Sequence, residues 1–540
     1  MRNLAKYLVE TLEANGVDVV FGIPGVHTIE LYRALDGAQI DHVTPRHEQG
    51  AGFMADGYAR VTGKPGVCFI ITGPGMTNIA TAMGQAYGDS IPMLVISTVN
   101  SVGEIGSGRG HLHEIKNQAA MAETVSAFSH TILDASEVEP VLARAFALFS
   151  SARPRPVHIQ IPVGLLTQDA ADQPPARRFN APFPPAPSRA ALDHAVAALS
   201  HARAPMIIAG GGAQKAAKDI RTLARRIGAP VHMTVNGRGI LPETDPLAVP
   251  VCGDFKGVTD LMRGSDVILA LGTELGPTDF ADTLPAKTDV PATLIRVDLD
   301  PEGLTRGLLP DLPILADVAE TVTALLDALP DLAPERAPDL DVAATRAAAI
   351  RDGVRDTLPP VLSAGLTLMD IVAQACPDAI IVGDSCQPVY SGCIAFGGLA
   401  PGSWFCSATG YGTLGYALPA AIGAAIGQPH RPVFGLIGDG GLMFTIGELA
   451  SAVEAGTKVR IILWNNQGYE EIKRFMVDAG VPPLGVDIAV PQFGPILAGF
   501  GWSHVQLSDP DSLRTHLATP ATGNEVIEID EAGFMRALGL

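Results

Sequence analysis

Short apolar runs alternate with stretches of helical periodicity along most of this chain. The runs have the length of strands and lie at residues 17–22, 66–72, 92–97, 205–209, 267–272, 294–298, 379–383, 433–437 and 459–464. Strands that alternate with helices are typical of α/β folds with parallel sheets. We therefore predict three domains, at residues 1–170, 188–330 and 355–540, each a mainly parallel sheet flanked by helices. A proline- and alanine-rich stretch at 174–187 is the predicted linker between the first two.

Two polar clusters follow two of these apolar runs. Gly438-Asp439-Gly440-Gly441 comes after the run at 433–437, and Asn465-Asn466-Gln467-Gly468 comes after the run at 459–464. Apolar positions 446, 449, 450 and 453 predict a helix between them. Because the carboxyl ends of parallel strands lie at one edge of a sheet, where ligands bind, we expect the two clusters to meet there.

The residue types in these clusters indicate a magnesium and phosphate site. Asp439 offers a carboxylate, Asn466 an amide oxygen and Gly468 a backbone carbonyl, which are the hard oxygen ligands that Mg²⁺ prefers. Glycines let backbone N–H groups approach a phosphate at the start of a helix. A lone Gly-Asp-Gly is more often an ordinary turn, and the Asn-Asn pair at this spacing favours the site.

Composition excludes some classes of function. The chain has 540 residues and a net charge of −20, which argues against a nucleic-acid partner. Its six cysteines show no metal-type pairing and predict reduced thiols in a cytoplasmic protein. Residues 385–430 contain no Asp, Glu, Lys or Arg, but Pro388, Pro401 and Pro419 interrupt them, so no membrane span is predicted.

Gly438-Asp439-Gly440 together with Asn465-Asn466 resembles the thiamin diphosphate motif of the acetolactate synthase and 2-oxo-acid decarboxylase superfamily. The resemblance implies a pyrimidine-binding, a middle and a diphosphate-binding domain, with Mg²⁺ held by Asp439, Asn466 and Gly468. Gly438, Gly440 and Gly441 would line the diphosphate. The resemblance also implies that first and third domains of different subunits share an active site. We therefore expect a homo-oligomer, either a dimer or a dimer of dimers (a homotetramer).

Three further segments match the superfamily. The segment at 45–52, Pro-Arg-His-Glu-Gln-Gly-Ala-Gly, is similar to the signature that carries the catalytic glutamate, here Glu48. Outside that context, an acid at a helix start would only stabilise the helix dipole. The segment at 410–419 resembles the one that bends the cofactor: Leu414 is the wedge, or else a core leucine, and the Gly412 carbonyl and Leu414 N–H hold the pyrimidine. Ser385-Cys386-Gln387 matches the diphosphate-contacting region, although these residues could equally form a turn.

The implied substrate is a 2-oxo acid, and histidines are candidates for the proton transfers. His27 follows the Gly25-Val26 turn, and His111 and His113 lie in a loop that reaches the active site in the superfamily. Gln118 is a lesser candidate for substrate contact. Each of these side chains could instead be a satisfied core or surface residue.

Segments 24–31 and 468–473 look like those of bacterial decarboxylases that act on 5-guanidino-2-oxopentanoate. Glu471 could pair with the guanidinium of such a substrate, or it could be a solvated helix acid. The alternatives are an acetolactate synthase-like carboligase and a non-catalytic protein on the same scaffold. Intact Glu48, Asp439 and Asn466 argue against the latter. Gly210-Gly211-Gly212 lacks the spacing of a dinucleotide fingerprint, and FAD is not expected.

Overall fold

The computed structural model describes residues 2–281, 289–290, 292–330 and 339–540. The described chain divides into two compact units. One comprises Met1–Pro182, Gly410–Gln506 and Ala521–Glu528, and the other Phe183–Thr409, Leu507–Pro520 and Ile529–Leu540.

The first sheet has six parallel strands in the order β2-β1-β3-β4-β6-β5. The strands are β1 (Val19–Gly22), β2 (Asp41–Val43), β3 (Gly66–Ile70), β4 (Met93–Val99), β5 (Phe128–Thr131) and β6 (Val157–Pro162). The helices are α1 (Leu4–Ala14), α2 (Ile29–Leu35), α3 (Glu48–Thr62), α4 (Pro74–Asp89), α5 (Gln118–Glu123) and α6 (Val138–Ser151). Every residue of β1, β3, β4 and β6 is buried, as expected for a sheet covered by helices on both faces.

The second sheet is also parallel and six-stranded, in the order β12-β11-β10-β7-β8-β9. Its strands are β7 (Pro205–Ala209), β8 (Val231–Met233), β9 (Ala248–Val249), β10 (Val267–Leu271), β11 (Thr293–Asp298) and β12 (Leu312–Leu315). The helices here are α7 (Arg189–His201), α8 (Ala217–Ile227), α9 (Lys256–Arg263), α10 (Pro277–Phe280), α11 (Val318–Ala328) and α12 (Leu340–Arg355). A Cβ at Gly210 would lie 2.3 Å from the carbonyl oxygen of Gly272, so close backbone packing accounts for this glycine.

The third sheet has six strands, in which β13 pairs in parallel with β14 and β15 with β16. The strands are β13 (Ile380–Gly383), β14 (Trp404–Cys406), β15 (Val433–Gly438), β16 (Val459–Asn465), β17 (Ser503–Leu507) and β18 (Glu525–Asp530). The helices are α13 (Pro360–Ala375), α14 (Gln387–Ala395), α15 (Ala417–Gly427), α16 (Asp439–Thr445), α17 (Glu448–Glu454), α18 (Glu470–Asp478), α19 (Phe493–Gly499), α20 (Pro510–Leu517) and α21 (Glu531–Leu538). The predicted architecture of three α/β domains is therefore confirmed.

The segment after Asp439 differs from the single helix that the sequence predicts. It forms two short helices, α16 and α17, which break between Thr445 and Glu448. Leu449 is fully buried as expected, whereas Val453 is 46% exposed. The apolar positions at 446–453 therefore do not form one continuous buried stripe.

Among the described residues, no single helix is long and apolar enough to cross a membrane. Helices α12 and α13 meet the length and composition criteria only when they are taken together, and they are bent by 120° at their junction.

Helices α3 and α15 pack through a pair of glycines. A Cβ at Gly57 would lie 2.0 Å from the carbonyl oxygen of Ala420, and one at Gly423 would lie 1.9 Å from that of Met54. Each helix backbone therefore rests directly on the other. This close crossing fixes α3, the helix that begins at Glu48.

We predict that Gly57→Ala lowers the free energy of unfolding by about 2 kcal/mol. The added methyl overpacks the crossing by about 3 kcal/mol, and better helix propensity returns about 1 kcal/mol. Denaturant unfolding or calorimetry at a fixed scan rate measures the change. Gly353→Ala in α12 is the control: the nearest atom to its Cβ lies 3.9 Å away, so it should be neutral or stabilising. Equal effects of the two changes would contradict the steric explanation.

Candidate active site

The structure brings the two predicted polar clusters together. Strand β15 ends at Gly438, and Asp439 is the first residue of α16. The Asp439 carboxylate accepts hydrogen bonds from the backbone N–H groups of Gly440, Asn466 and Gly468. The loop after β16 therefore lies against the start of α16, as the strand–helix–strand pattern predicts.

Burial raises the pKa of Asp439 to about 6, against the lowering effect of these backbone hydrogen bonds. A carboxylate that is costly to ionise when buried is well suited to a site that takes a cation. Among the described residues, no group of three or more His, Cys, Asp or Glu side chains is arranged to hold a metal. A metal at Asp439 would therefore depend on amide, backbone and phosphate oxygens, which is the donor set typical of Mg²⁺ rather than of zinc.

Glycines and Asn465 shape the loop after β16. Gly468 has a φ of 152°, and a Cβ there would lie 2.8 Å from the carbonyl oxygen of Val486. A Cβ at Gly440 would lie 2.5 Å from the Tyr469 ring. Asn465 donates to Glu528 Oε1 at 2.7 Å and accepts from the Gln467 N–H at 3.2 Å. Asn465 therefore fixes the turn that carries its neighbour Asn466.

Glu48 is the first residue of α3 and is half-buried. Asn78 Nδ2 of α4 donates to its Oε2 at 2.9 Å. A Cβ at Gly75 would lie 3.3 Å from Glu48 Oε1, so the glycine keeps the start of α4 open around the carboxylate. His47 caps α3 by accepting the Gln49 N–H at its Nδ1, 3.1 Å away.

The segment predicted to bend the cofactor is irregular and partly open. Gly410, Gly412 and Gly415 have φ angles of 61°, 71° and 77°, which only glycine adopts without strain. Leu414 is half-exposed on this loop, although most of the chain's leucines are buried. Gly412 is exposed, with nothing within 4 Å of where a Cβ would be. The loop therefore leaves a leucine side chain and bare backbone accessible.

A buried charge cluster fixes this loop and α3. Arg60 donates to Asp56 Oδ1 at 2.7 Å and to Asp89 Oδ2 at 2.6 Å, and the three side chains are almost fully buried. Tyr416, at the end of the loop, donates its hydroxyl to Asp56. Gln85 donates to Asp89 at 2.9 Å and accepts the Thr413 hydroxyl at 3.1 Å. One network thus joins α3, α4 and the 410–416 loop.

The charges in this cluster stabilise each other. Burial raises the pKa of Asp56, against the lowering effect of the adjacent Arg60 guanidinium. Burial alone would lower the pKa of Arg60, but the Asp56 and Asp89 carboxylates outweigh it and hold the pKa well above its usual value. Arg60 therefore stays charged and holds the two acids together.

Two of the predicted histidines face each other. The rings of His27 and His113 are edge to face, with centroids 5.1 Å apart. The Gly25 N–H donates to Thr28 Oγ1 at 2.9 Å and fixes the turn that carries His27. Burial lowers the pKa of His27, and the neighbouring His113 lowers it further. His113 has a φ of 59°, a strained conformation for a histidine. His111 Nδ1 lies 3.5 Å from Glu104 Oε1.

Gln118 forms its hydrogen bonds with buried groups of the first domain. Its Oε1 accepts the Gly73 N–H at 3.0 Å, and its Nε2 donates to the Thr98 carbonyl at 2.9 Å and contacts Gln160 Oε1 at 3.1 Å. A Cβ at Gly73 would lie 2.4 Å from the His113 carbonyl oxygen. Gln118 therefore supports the Gly73 turn on which the His113 backbone rests.

Ser385, Cys386 and Gln387 belong to the second unit and follow β13. The Ser385 N–H donates to Asp384 Oδ1 at 2.8 Å, and α14 begins at Gln387. Cys386 and Gln387 are buried, whereas Ser385 is half-exposed. The segment is thus a strand-to-helix turn at the carboxyl end of β13, the position that a phosphate-binding turn occupies in parallel sheets.

Glu471 lies in the first turn of α18 and already pairs with a guanidinium. Arg474 Nη2 donates to its Oε1, and Glu470 beside it pairs instead with Lys473. The Glu471 side chain is 21% exposed and that of Glu470 is 46% exposed. The structure thus confirms neither a substrate contact nor a free surface acid at Glu471.

Several residues of this site were not found from sequence. Asp56 and Arg60 did carry a signal, because charges spaced by four residues stand in a helix of small and apolar residues. Asn78 and Glu448 carried none. Glu448 accepts from the backbone of Arg46, 402 positions away, and no local pattern encodes such a contact.

Three family descriptions match the chain in succession. Residues 2–121 match "Thiamine pyrophosphate enzyme, N-terminal TPP binding domain", residues 192–325 match the central domain of these enzymes, and residues 391–530 match their C-terminal TPP binding domain. The matches fall on the three sheets in order.

Whole-chain relatives agree with these matches. A Pseudomonas aeruginosa protein described as "Probable 2-ketoarginine decarboxylase AruI" is 44% identical over 513 residues, which is 94% of this chain and 90% of that protein. The acetolactate synthase isozyme 1 large subunit of Escherichia coli is 33% identical, covering 86% of this chain and 81% of its own. Acetolactate synthase 1 of Nicotiana tabacum is 30% identical, covering 85% and 70%. This chain therefore belongs to the thiamine pyrophosphate (thiamin diphosphate) enzyme family.

Proposed function

We propose that the protein is a thiamin diphosphate- and Mg²⁺-dependent decarboxylase of 5-guanidino-2-oxopentanoate, which is 2-ketoarginine. The observation that carries the choice of substrate is the 44% identity, over 94% of the chain, with the Pseudomonas aeruginosa protein named for that reaction. The C1–C2 bond of the 2-oxo acid breaks, CO₂ leaves, and the former keto carbon takes up one proton to give 4-guanidinobutanal. When bound, thiamin diphosphate supplies the nucleophilic carbon and the electron sink for this bond cleavage.

In this proposal, the loops after β15 and β16 hold the charged end of the cofactor. Asp439, Asn466 and Gly468 would bind Mg²⁺, and Gly438, Gly440 and Gly441 would line the diphosphate. The support is the convergence of the two loops on the Asp439 carboxylate and its high pKa of about 6. Ser385, Cys386 and Gln387, in the turn after β13, are proposed as further diphosphate-binding residues.

The remaining cofactor contacts fall to Glu48 and the 410–416 loop. Glu48 would hold a proton beside the aminopyrimidine, the Gly412 carbonyl and the Leu414 N–H would bind that ring, and the Leu414 side chain would be the wedge that bends the cofactor. The half-buried Glu48 carboxylate and the half-exposed Leu414 suit these roles. We place this site between two subunits of a homodimer or of a dimer of dimers. Exposed apolar side chains in the first unit, Tyr411, Met443 and Phe444, support such an interface.

His27 and His113 are proposed to supply the proton that the keto carbon takes up. Burial and the neighbouring His113 lower the pKa of His27, so the protonated imidazolium is a stronger acid than a free one and gives up its proton more readily. Gln118 is proposed to act indirectly, by supporting the turn beneath His113. We propose no flavin. Six cysteines without a disulfide support a cytoplasmic location.

Glu471 is the proposed partner of the substrate guanidinium. Its ion pair with Arg474 shows that a guanidinium can approach this carboxylate from its own helix. The alternative function is an acetolactate synthase-like carboligase, which the acetolactate synthase relatives at 30% and 33% identity favour.

The Glu48→Gln variant tests the proton-holding role. We expect exchange of the C2 proton of bound thiamin diphosphate to slow about 100-fold, because general acid–base groups contribute that much or more. Cofactor affinity should change by no more than a few-fold. Proton NMR of acid-quenched samples in D₂O measures the exchange. Near-normal exchange in the variant would remove Glu48 from the mechanism.

Asp439→Ala tests the metal site. We expect the Mg²⁺-dependent affinity for thiamin diphosphate, measured by titration calorimetry, to fall about 100-fold or more, because the only carboxylate in the proposed ligand set is lost. Asp487→Ala is the control: its exposed carboxylate pairs with Lys473 on the preceding helix, α18, and its loss should leave affinity unchanged. Unchanged affinity in Asp439→Ala would refute the assignment.

Product analysis tests the reaction itself. With thiamin diphosphate and Mg²⁺, we expect 4-guanidinobutanal and CO₂ from 5-guanidino-2-oxopentanoate, and little product from pyruvate. Acetolactate from pyruvate alone would support the carboligase instead. Glu471→Gln should raise KM for the guanidino acid about 10-fold, the worth of one charge-assisted hydrogen bond. Glu470→Gln, on the adjacent position of the same helix, should not.

A further inference from the structure

Glu448 is a buried carboxylate outside the set of predicted site residues. It begins α17 and is 1% exposed. Its Oε1 accepts the backbone N–H groups of Arg46 at 3.0 Å and His47 at 3.1 Å. Its Oε2 accepts the Arg46 N–H at 3.1 Å and the Ser451 hydroxyl at 2.7 Å. Both carboxylate oxygens are therefore used, mostly by the backbone of a single turn.

That turn leads directly into Glu48. Arg46 and His47 are the two residues before α3, and His47 is its N-cap. The first turn of α3 is shaped around the Glu448 carboxylate, because a Cβ at Gly50 would lie 2.2 Å from Glu448 Oε1. Any side chain at position 50 would displace the carboxylate, so the glycine and the acid form one fitted contact.

Glu48 itself is held weakly by side chains. Among the described residues, the one side-chain hydrogen bond to its carboxylate comes from Asn78. The position of Glu48 then depends on the backbone of the turn before it, and that backbone is held by Glu448. Burying a carboxylate is costly, and burial raises the pKa of Glu448, against the lowering effect of its hydrogen bonds. An apolar residue could fill the same space but could not accept these N–H groups.

We propose that Glu448 is a positioning residue: it fixes the turn at Arg46 and His47 and so sets the Glu48 carboxylate against the aminopyrimidine ring of the cofactor. This inference rests on the role proposed for Glu48. Glu448 lies on α17, directly after the short helix α16 that begins with Asp439. The stretch at 439–448 thus carries both the proposed metal ligand, Asp439, and Glu448, which holds the turn before Glu48.

The test compares Glu448→Gln with Glu454→Gln. Gln replaces one accepting oxygen with an NH₂ group that cannot accept the backbone N–H groups. Glu454 is a matched control, because it lies at the other end of α17 and contacts the same Arg46, but through its exposed guanidinium. In both holoenzymes, C2 proton exchange of bound thiamin diphosphate, affinity for Mg²⁺ and thiamin diphosphate, and unfolding temperature are measured. Backbone amide exchange of a peptide covering 44–50 is followed by mass spectrometry in the cofactor-free full-length chain.

We expect C2 exchange to slow about 10-fold in Glu448→Gln, since small misplacement of a catalytic group has effects of this size or larger. Cofactor affinity should stay within a few-fold, and amide exchange at 44–50 should accelerate. Glu454→Gln should match the wild type in all of these. If C2 exchange in Glu448→Gln equals that of the wild type while Glu48→Gln has lost it, the positioning role is wrong. If Glu48→Gln also exchanges normally, the proposed role of Glu48 fails instead.

A milder change covers the case in which Glu448→Gln does not fold. Ser451→Ala removes only the hydroxyl that holds Oε2 and leaves the carboxylate in place. It should slow C2 exchange about 3-fold, and Ser451→Thr, which keeps a hydroxyl, should restore it. An unchanged rate in a well-folded Ser451→Ala variant, with unchanged amide exchange at 44–50, would overturn the proposal.

Discussion

Arg60 lies between two buried carboxylates, Asp56 on its own helix and Asp89 at the end of the next, and the predicted cofactor segments of the first unit depend on this arrangement. Removing one partner from a buried ion cluster typically costs about 3–5 kcal/mol, because a charge is left unpaired in the interior. An incompletely hydrogen-bonded cluster would be unfavourable in this interior, so each of the three side chains is held in a defined geometry. The cluster therefore fixes the relation of α3 to α4 more strictly than apolar packing alone would.

Two sets of hydrogen bonds connect this charge cluster to the 410–416 loop. Tyr416 reaches Asp56, and Gln85 links Asp89 to Thr413. Between Thr413 and Tyr416 lies Leu414, whose flanking glycines give the backbone no rigidity of its own. The loop is thus held at its two ends and open in the middle. Glu448 adds a third attachment at the start of α3, so the helix that presents Glu48 is fixed at its first turn and along its length.

The sequence predicts those features of the fold and the site that depend on local patterns. Strand length, glycine turns and the Asp439–Asn466 spacing are patterns within a few dozen residues, and the predicted sheets and the convergence of the two loops are confirmed. The long-range hydrogen bonds that hold the 410–416 loop and the start of α3 could not be predicted in this way. Asp56 meets Tyr416 and Arg46 meets Glu448 across 360 and 402 positions, so nothing near either partner encodes them. The helix break before Glu448 was missed for the same reason, because tertiary contacts outweigh the local periodicity of 446–453.

The segments proposed to bind the cofactor and the residue proposed to select the substrate are held in place by different kinds of interaction. The groups around Glu48 and Leu414 rest on buried charges and hydrogen bonds, which are rigid and costly to break. Glu471 rests on a partly exposed ion pair with Arg474, and such pairs contribute about 0–1 kcal/mol because solvent screens them. A substrate guanidinium could therefore replace Arg474 at Glu471 at little cost. On the proposed assignments, the substrate side chain could therefore change without disturbing the segments that are proposed to hold the cofactor.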